Sequence, residues 1–466
     1  MTSRTVIAGI DSSTQSCKIV RVDAETGEVL STKSAPHPDG TAVHPDRWWD
    51  AFEAAGGTGL QDVEALSVSA QQHGMVALDE RDRPVHDALL WNDVRSAPQA
   101  ERLRQELGAQ VWAEEIGIVP VSSFTITKLA WLADNHPELA DRVRRVMLPH
   151  DWLTWQILER RNEPTTDRSD ASGTGYYSVR DDAYRHDLVE RAFGRSPNLP
   201  TVIRPSAAAG TTTTGALVAA GCGDNAGAAL GLSLNPGEVA VSIGTSGTVF
   251  TPTDRRISDP TGTIAGFADA EGKQLPLLAT INGARVLTST AAMLGVDLAK
   301  FDALASSGPV DAAGLTLVPY LDGERTPNLP SATGSLVGLT SAAMNPENIA
   351  RASVLGLLCL LADALDSLRA QQIEAKRVVL IGGGSRSASL QAAAADIFNA
   401  EIVIPKPAEY VALGAARQAA WALAKTDAPP TWQRLTERTI STSASTEWAT
   451  AVRRRFNEAR QRLYGL

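Results

Sequence analysis

The stretch Thr5-Val6-Ile7-Ala8-Gly9-Ile10-Asp11-Ser12-Ser13-Thr14-Gln15-Ser16-Cys17-Lys18-Ile19-Val20-Arg21-Val22 decides the fold class. Two β-rich runs, residues 5–10 and 17–22, flank a small polar turn, which is the pattern of a β-hairpin. The same grammar returns at Glu238-Val239-Ala240-Val241-Ser242-Ile243, then Gly244-Thr245-Ser246-Gly247, then Thr248-Val249-Phe250. A hairpin of this kind therefore opens each half of the chain, although the two halves share negligible identity. The repetition predicts two domains of one architecture.

Working outward, residues 65–70 and 75–78 read as strands with Gln71-Gln72-His73-Gly74 between them. Residues 97–155 read as mainly helical; Asn135 and Pro137 end a helix carrying Leu129, Trp131 and Leu132. Residues 144–148 are strand-like and lead into an apolar helix from Asp151. Residues 196–214, rich in Pro, Ser, Thr and Gly, read as a loop. Asn345-Pro346-Glu347 starts a helix, with a capping Asn, Pro in first position and an early acid. Val354, Leu357, Leu358, Leu361, Leu365 and Leu368 then share one helical face. Residues 377–381 form a buried strand running into Gly382-Gly383-Gly384, and a helix follows over 388–398. Strands alternating with helices indicate an α/β chain. The expected domains are residues 1–235 and 236–440, divided at Asn235-Pro236-Gly237, with a helical tail over 441–466.

At 466 residues, 43% of them hydrophobic, the chain has room for two large domains and a substantial core. Its 43 Lys and Arg against 53 Asp and Glu give a formal charge of −10. Such a chain gains little from nucleic-acid phosphates or an anionic membrane, so neither partner is expected. Cys17, Cys222 and Cys359 are far apart and odd in number, which suits a reducing cytoplasm better than a disulfide framework or a zinc site. Residues 6–9 are too short for a signal peptide. Residues 354–365, interrupted by Asp363, read as too short to span a bilayer.

The motifs narrow the chemistry. No G-x-x-x-x-G-K-[ST], H-E-x-x-H, G-x-S-x-G or C-x-x-C occurs, which removes P-loop, metalloprotease, α/β-hydrolase and thiol redox readings. Gly221-Cys222-Gly223-Asp224-Asn225-Ala226 matches the dinucleotide fingerprint, but in mid-chain, and its Asp would repel a pyrophosphate. The two hairpin turns, Ser12-Ser13-Thr14 and Gly244-Thr245-Ser246-Gly247, each offer N–H groups and hydroxyls that suit phosphate oxygens without positive charge. Either alone is an ordinary small-residue turn; facing each other they would grip a triphosphate. The glycines at 382–384 would let a base or ribose approach closely. Asp11 directly follows an apolar strand and Asp224 lies between Gly and Asn, each a common turn or cap setting. Phosphoryl transfer to an alcohol, however, needs a carboxylate for the hydroxyl proton and a divalent ion near the phosphates. Gln71-Gln72-His73-Gly74 and Trp91-Asn92-Asp93-Val94-Arg95 supply the paired donors and acceptors that sugar hydroxyls want. The ten tryptophans read mostly as core residues, with Trp48-Trp49 a candidate sugar shield.

Taken together, these segments resemble the FGGY carbohydrate kinases, from Ile7 to about Ala424. The hairpin at 9–18, residues 71–74, Leu90-Trp91-Asn92-Asp93-Val94-Arg95, Ser169-Asp170-Ala171-Ser172-Gly173-Thr174, residues 223–227, 242–247, Gly382-Gly383-Gly384-Ser385-Arg386-Ser387 and 412–416 fit in this order. Pro319-Tyr320-Leu321-Asp322-Gly323-Glu324-Arg325-Thr326-Pro327 is closest to the members that phosphorylate D-xylulose. The resemblance implies two actin-like (ribonuclease H-like) ATPase domains with an active-site cleft between them. It implies ATP and Mg²⁺ as cofactors and D-xylulose as acceptor, with ribulose, gluconate, fuculose or glycerol as alternatives. By position, Asp224 is the general base and Asp11 the acid near the phosphates, both holding Mg²⁺ through water. Gln72, His73, Asp224 and Asn225 bind the sugar; Thr14, Gly244, Thr245, Gly383, Gly384 and Ser387 contact the nucleotide. Ser13 stands where the family usually has Gly, and Gln72 where Met is common. A homodimer is left open. The rival from another class, an actin-like ATPase acting on a protein partner, expects an appended lid for which the chain, ending soon after Tyr464, leaves no room.

Overall fold

The computed structural model describes residues 4–465. Val6–Ser12 and Ser16–Asp23 pair antiparallel, with Ile10 opposite Ile19, Asp11 opposite Lys18 and Ser12 opposite Cys17. The opening strand also pairs in parallel with Ala65–Ala70, which sets Asp11 beside Ser69. Its side chains alternate between two faces. Ala8 and Ile10 join a core with Val68, Trp48, Phe52 and Trp152. Ile7 packs on the other face with Val20, Val22, Ala412, Ala416 and Ala419. Those alanines belong to the helix Tyr410–Ala424, and their small size lets it lie directly on the strand. A Cβ on Gly9 would overlap the Ala412 carbonyl and sit 2.5 Å from the Ala416 nitrogen.

The first sheet runs in the order Ala208–Thr211, Leu217–Ala219, Ala65–Ala70, Val6–Ser12, Ser16–Asp23, Val29–Pro36. A second runs Thr436–Ile440, Glu401–Pro405, Arg377–Ile381, Glu238–Ile243, Gly247–Phe250, Gln274–Thr280. Read in these orders, the successive neighbours are antiparallel, parallel, parallel, antiparallel and antiparallel in both sheets. The fold is therefore a two-domain α/β architecture with mixed sheets, as the repeated hairpin predicts.

Sequence and space divide the chain differently. One unit takes the chain up to Leu234 with Pro252–Pro276 and Ala408–Arg434; the other takes Asn235–Thr251, Leu277–Pro407 and the chain from Leu435. In place of the single division expected at Asn235, Ala408–Arg434 returns to the first unit, because its alanine face is buried on that unit's sheet. In the second unit, Pro346–Ala370 is capped by Asn345, whose side chain accepts from the Asn348 nitrogen at 2.9 Å. Residues 354–365, expected to be too short for a membrane span, are the middle of this 25-residue helix. By length and composition it could cross a bilayer, but 89% of its apolar window is buried within the protein. With that window buried inside the protein, it is a core helix.

One edge differs from expectation. Residues 196–214 hold Thr201–Ile203 and the edge strand Ala208–Thr211, and Val29–Pro36 forms the opposite edge with nearly every side chain exposed. Edge strands need only one neighbour, so neither carries an apolar alternation that a sequence can display. Trp48 lies in the core edge-on to Trp152, with ring centroids 6.0 Å apart, and Trp49 packs on Phe52. Their helix, Asp46–Ala54, turns this pair toward the sheet, which overturns the sugar-shield reading.

Candidate active site

Asp11 is the penultimate residue of Val6–Ser12, and Asp224 is the first residue of the helix Asp224–Gly231. Cys222–Gly223, just ahead of Asp224, pairs in parallel with Ser69 and Ala70, the same residues that flank Asp11 and Ser12 on the other side. Both carboxylates thus emerge where neighbouring parallel strands end, the place in an open α/β sheet where loops and helix N-termini meet ligands. Asp11 is 3% exposed, whereas Asp224 is half-buried. Desolvation is the largest influence on each; it pushes Asp11 up to about 6 and Asp224 up to about 7. The charge of Asp11 is the second influence on Asp224 and acts in the same direction.

The opposing groups are few. Ser13 Oγ donates to Asp11 Oδ1, and Lys18 Nζ lies 3.7 Å from Asp11 Oδ2. Lys18 is also paired with Glu409 at 2.8 Å, so its charge is shared. The backbone nitrogen and Nδ2 of Asn225 each donate to Asp224 Oδ1 at 2.8 Å. The result is a pair of carboxylates held close enough to repel, with less than a full counter-charge between them.

The sugar-binding candidates lie in the same unit. Gln72 Nε2 donates to the Ser169 carbonyl at 3.1 Å, and the Gln72 side chain rests on Gly223, where a Cβ would come within 2.7 Å of its Cδ. His73 sits in the left-handed region at φ 71° with its ring against Phe124 and Phe267, at 5.0 and 5.5 Å between centroids. Its Nδ1 lies 2.8 Å from the Gly173 carbonyl. A carbonyl can only accept, so Nδ1 carries a proton and donates to it. Gln72, Asp224 and Asn225 therefore meet around Gly223, with His73 adjacent in the chain. Gln71 is buried beside them, and neither of its amide atoms has a partner among the described residues.

The Ser13–Thr14 turn is held from two sides. Trp91 Nε1 donates to Thr14 Oγ1 at 2.8 Å, and His37 Nδ1 lies 2.8 Å from the Ser13 carbonyl. Asp93, from the same cluster as Trp91, accepts from Thr41 and Arg95 at 2.7 and 2.8 Å and so anchors its own loop.

In the second unit, Ser242 pairs with Ile381 across parallel strands, so the turns at 244–247 and 382–384 leave the sheet side by side. Ala284 N and Gly283 N donate to the carbonyls of Gly244 and Thr245, at 2.7 and 3.1 Å, which fixes the first turn. Thr245 is exposed, and Gly383 faces open space. Gly384, at the start of the short helix Gly383–Arg386, is buried. The Ser387 hydroxyl is engaged within the protein: it donates to Asp302 Oδ1 at 2.5 Å and caps the helix Ala388–Phe398.

Lys18, Glu409 and His37 join the site beyond the residues expected from sequence, and Trp91, expected among the sugar contacts, holds the Thr14 turn. Lys18 opposite Asp11 follows from hairpin register, a period-two signal present in the sequence. Glu409 arrives from the far end of the chain, which no local pattern encodes.

Residues 6–231 match the N-terminal domain of the FGGY family of carbohydrate kinases, and residues 239–423 match its C-terminal domain. The protein named xylulose kinase from Streptomyces coelicolor is 44% identical over 440 residues, covering 91% of this chain and 89% of that protein. The crystal structure of xylulose kinase from Bifidobacterium adolescentis superposes with a TM-score of 0.90 at 41% identity, covering 98% of this chain and 99% of that one. The structure of gluconate kinase from Lactobacillus acidophilus also gives 0.90, at 21% identity and over 99% and 98% of the two chains. At that identity the likeness concerns the fold alone.

Proposed function

The chain belongs to the FGGY family of carbohydrate kinases, and from that premise we propose that it transfers the γ-phosphoryl group of ATP to the terminal hydroxyl of D-xylulose, giving D-xylulose 5-phosphate. Support for the sugar comes from the relatives named xylulose kinase, at 44% and 41% identity over nearly the whole chain. Support for the chemistry comes from one observation above all: Asp224, beside the Gln72 side chain, has a carboxyl pushed up to about 7. A general base works best when its pKa lies near the working pH.

In this reading Asp224 takes the proton of the attacking hydroxyl, while Gln72, His73 and Asn225 hold the other hydroxyls of the sugar. Thr14, Gly244, Thr245, Gly383 and Gly384 contact ATP through N–H groups and hydroxyls. Ser387 serves there by capping its helix. Asp11 and Asp224 fit Mg²⁺: both are hard oxygen donors, both are raised, and Lys18, shared with Glu409, compensates Asp11 only in part. When bound through water at these residues, Mg²⁺ offsets the phosphoryl charge. A chain of net charge −10 gains from neutralising phosphate locally in this way. The proposal places the protein in the cytoplasm, in keeping with three buried, unpaired cysteines.

The pH profile of D-xylulose-dependent ADP formation tests this reading. Asp224 accepts a proton only when ionised, so kcat/KM should climb as pH rises through about 7 and level off above it. The sign for stability is opposite. A carboxyl raised in the folded state stabilises it below the ordinary value of 3.8, and that contribution is lost as pH rises through about 7. Activity should therefore increase across pH 6–8 while the ligand-free protein loses thermal stability. A flat rate profile over that range, or ADP formation indifferent to sugar, contradicts the proposal.

A further inference from the structure

Beneath the Asp224 turn lies a group of buried charges that the reaction itself does not use. His150, in the helix Pro149–Ile157, is fully buried. Its Nε2 lies 2.9 Å from the Ala220 carbonyl, and its Nδ1 lies 3.1 Å from Asp170 Oδ2 and 3.1 Å from Asp151 Oδ1. The Ala220 carbonyl can only accept, so Nε2 carries a proton; on the other side Nδ1 shares a proton with the Asp170 carboxyl, itself pushed up to about 7 by burial. Burial opposes a charge on the ring, but Asp151 and Asp170 outweigh it and hold the ring's pKa well above its usual value. Asp167 is buried alongside, its carboxylate accepting from the Ser169 and Asp170 nitrogens at 2.8 and 3.0 Å.

The two arms of the imidazole lead to the two parts of the site. Through Nε2, His150 holds Ala220, the residue ahead of Gly221. Gly221 has φ 83°, and a Cβ there would overlap His150 Nε2, so the ring and the turn fit only with glycine. Three residues on, this turn delivers Asp224. Through Nδ1, His150 holds Asp170, which lies in the short turn Arg168–Ala171. Ser169 of that turn accepts from Gln72 Nε2 with its carbonyl, and its Oγ accepts from the Gly223 nitrogen at 3.1 Å. One buried imidazole thus ties the turn carrying the base to the turn carrying a sugar contact.

We propose that His150, held by Asp170 and Asp151, is a positioning residue that sets Asp224 relative to Gln72, and so aims the acceptor hydroxyl at its base. The proposal rests on Asp224 being that base. It makes the clamp part of turnover, acting through Asp224, with no contact to sugar or nucleotide.

A double-mutant cycle tests it. His150→Gln and the isosteric Asp170→Asn are made alone and combined with Asp224→Asn, and kcat, KM for D-xylulose, KM for ATP and melting temperature are measured, with product counted over hours in the slow variants. Alone, each clamp variant should lower kcat about 10- to 100-fold and leave KM for ATP unchanged. In the Asp224→Asn background the same substitution should cost less than about threefold, because the residue through which it acts is already gone. Equal fractional losses in both backgrounds, or clamp variants with ordinary kcat, overturn the proposal while leaving the kinase reading in place. If Asp224→Asn alone keeps its kcat, the base assignment fails first and the proposal falls with it. Asp170→Asn keeps the shape of the buried site, so the cycle stands even where His150→Gln fails to fold.

Discussion

Asp224→Asn is expected to lower kcat by about 10³-fold, near the middle of what a general base contributes. The amide has the same shape, can still accept from Asn225 through its carbonyl oxygen, and keeps its place at the start of Asp224–Gly231. What it loses is the capacity to take a proton. Gln72 and His73 are untouched, so the dissociation constant for D-xylulose, read by calorimetry, should change less than about threefold. Loss of turnover with binding retained marks a group that acts in the transition state. A variant whose kcat stays within tenfold of the parent would remove Asp224 from the role.

The second large effect is expected at Gly414. The helices Asp224–Gly231 and Tyr410–Ala424 touch backbone to backbone: a Cβ on Gly414 would overlap the Gly227 carbonyl oxygen and lie 2.6 Å from its carbon. One turn away, a Cβ on Gly231 would overlap the Tyr410 carbonyl. The longer helix also lies on Gly9, two residues before Asp11 on the same face of the strand. Backbones at this distance have no side chain that can repack, so Gly414→Ala has to push the helices apart. The cost should reach about 3 kcal/mol, the upper end for overpacking, seen as a lower temperature for the first unfolding transition. Activity should fall with it, because the displaced helices carry Asp224 and, through Glu409 and Lys18, the partner of Asp11. Gly59→Ala, with nothing within 4 Å, is the control and should stay within about 0.5 kcal/mol. Equal melting behaviour of the two variants would refute the close-packed crossing.

What the sequence revealed follows from how each feature is encoded. The two hairpins were legible because their apolar runs and polar turns are contiguous. Asp11 and Asp224 were legible because each ends an apolar run beside small residues, the setting that places a carboxylate at the end of a strand. Glu409 was not, since its meeting with Lys18 depends on a helix crossing back to the first unit. The alanine face of Tyr410–Ala424 suits either sheet equally well as a pattern; only the close approach at Gly9 and Gly227 determines which one receives it. The His150 clamp was hidden for a different reason. Its residues lie in separate segments, and their charges matter because they converge in the interior. The edge strands Val29–Pro36 and Ala208–Thr211 escaped because exposed edges carry no core alternation.

Acceptor choice is the central claim that the fold itself cannot decide, since a gluconate kinase shares it. The direct measurement is kcat/KM for ADP formation with D-xylulose, ribulose, gluconate, fuculose and glycerol, using the full chain and Mg-ATP. D-Xylulose should exceed every other acceptor by at least about tenfold, because a site that pairs each hydroxyl leaves polar groups unsatisfied with the wrong sugar. A higher value for any other acceptor, or no sugar-dependent ADP with D-xylulose, would contradict the account.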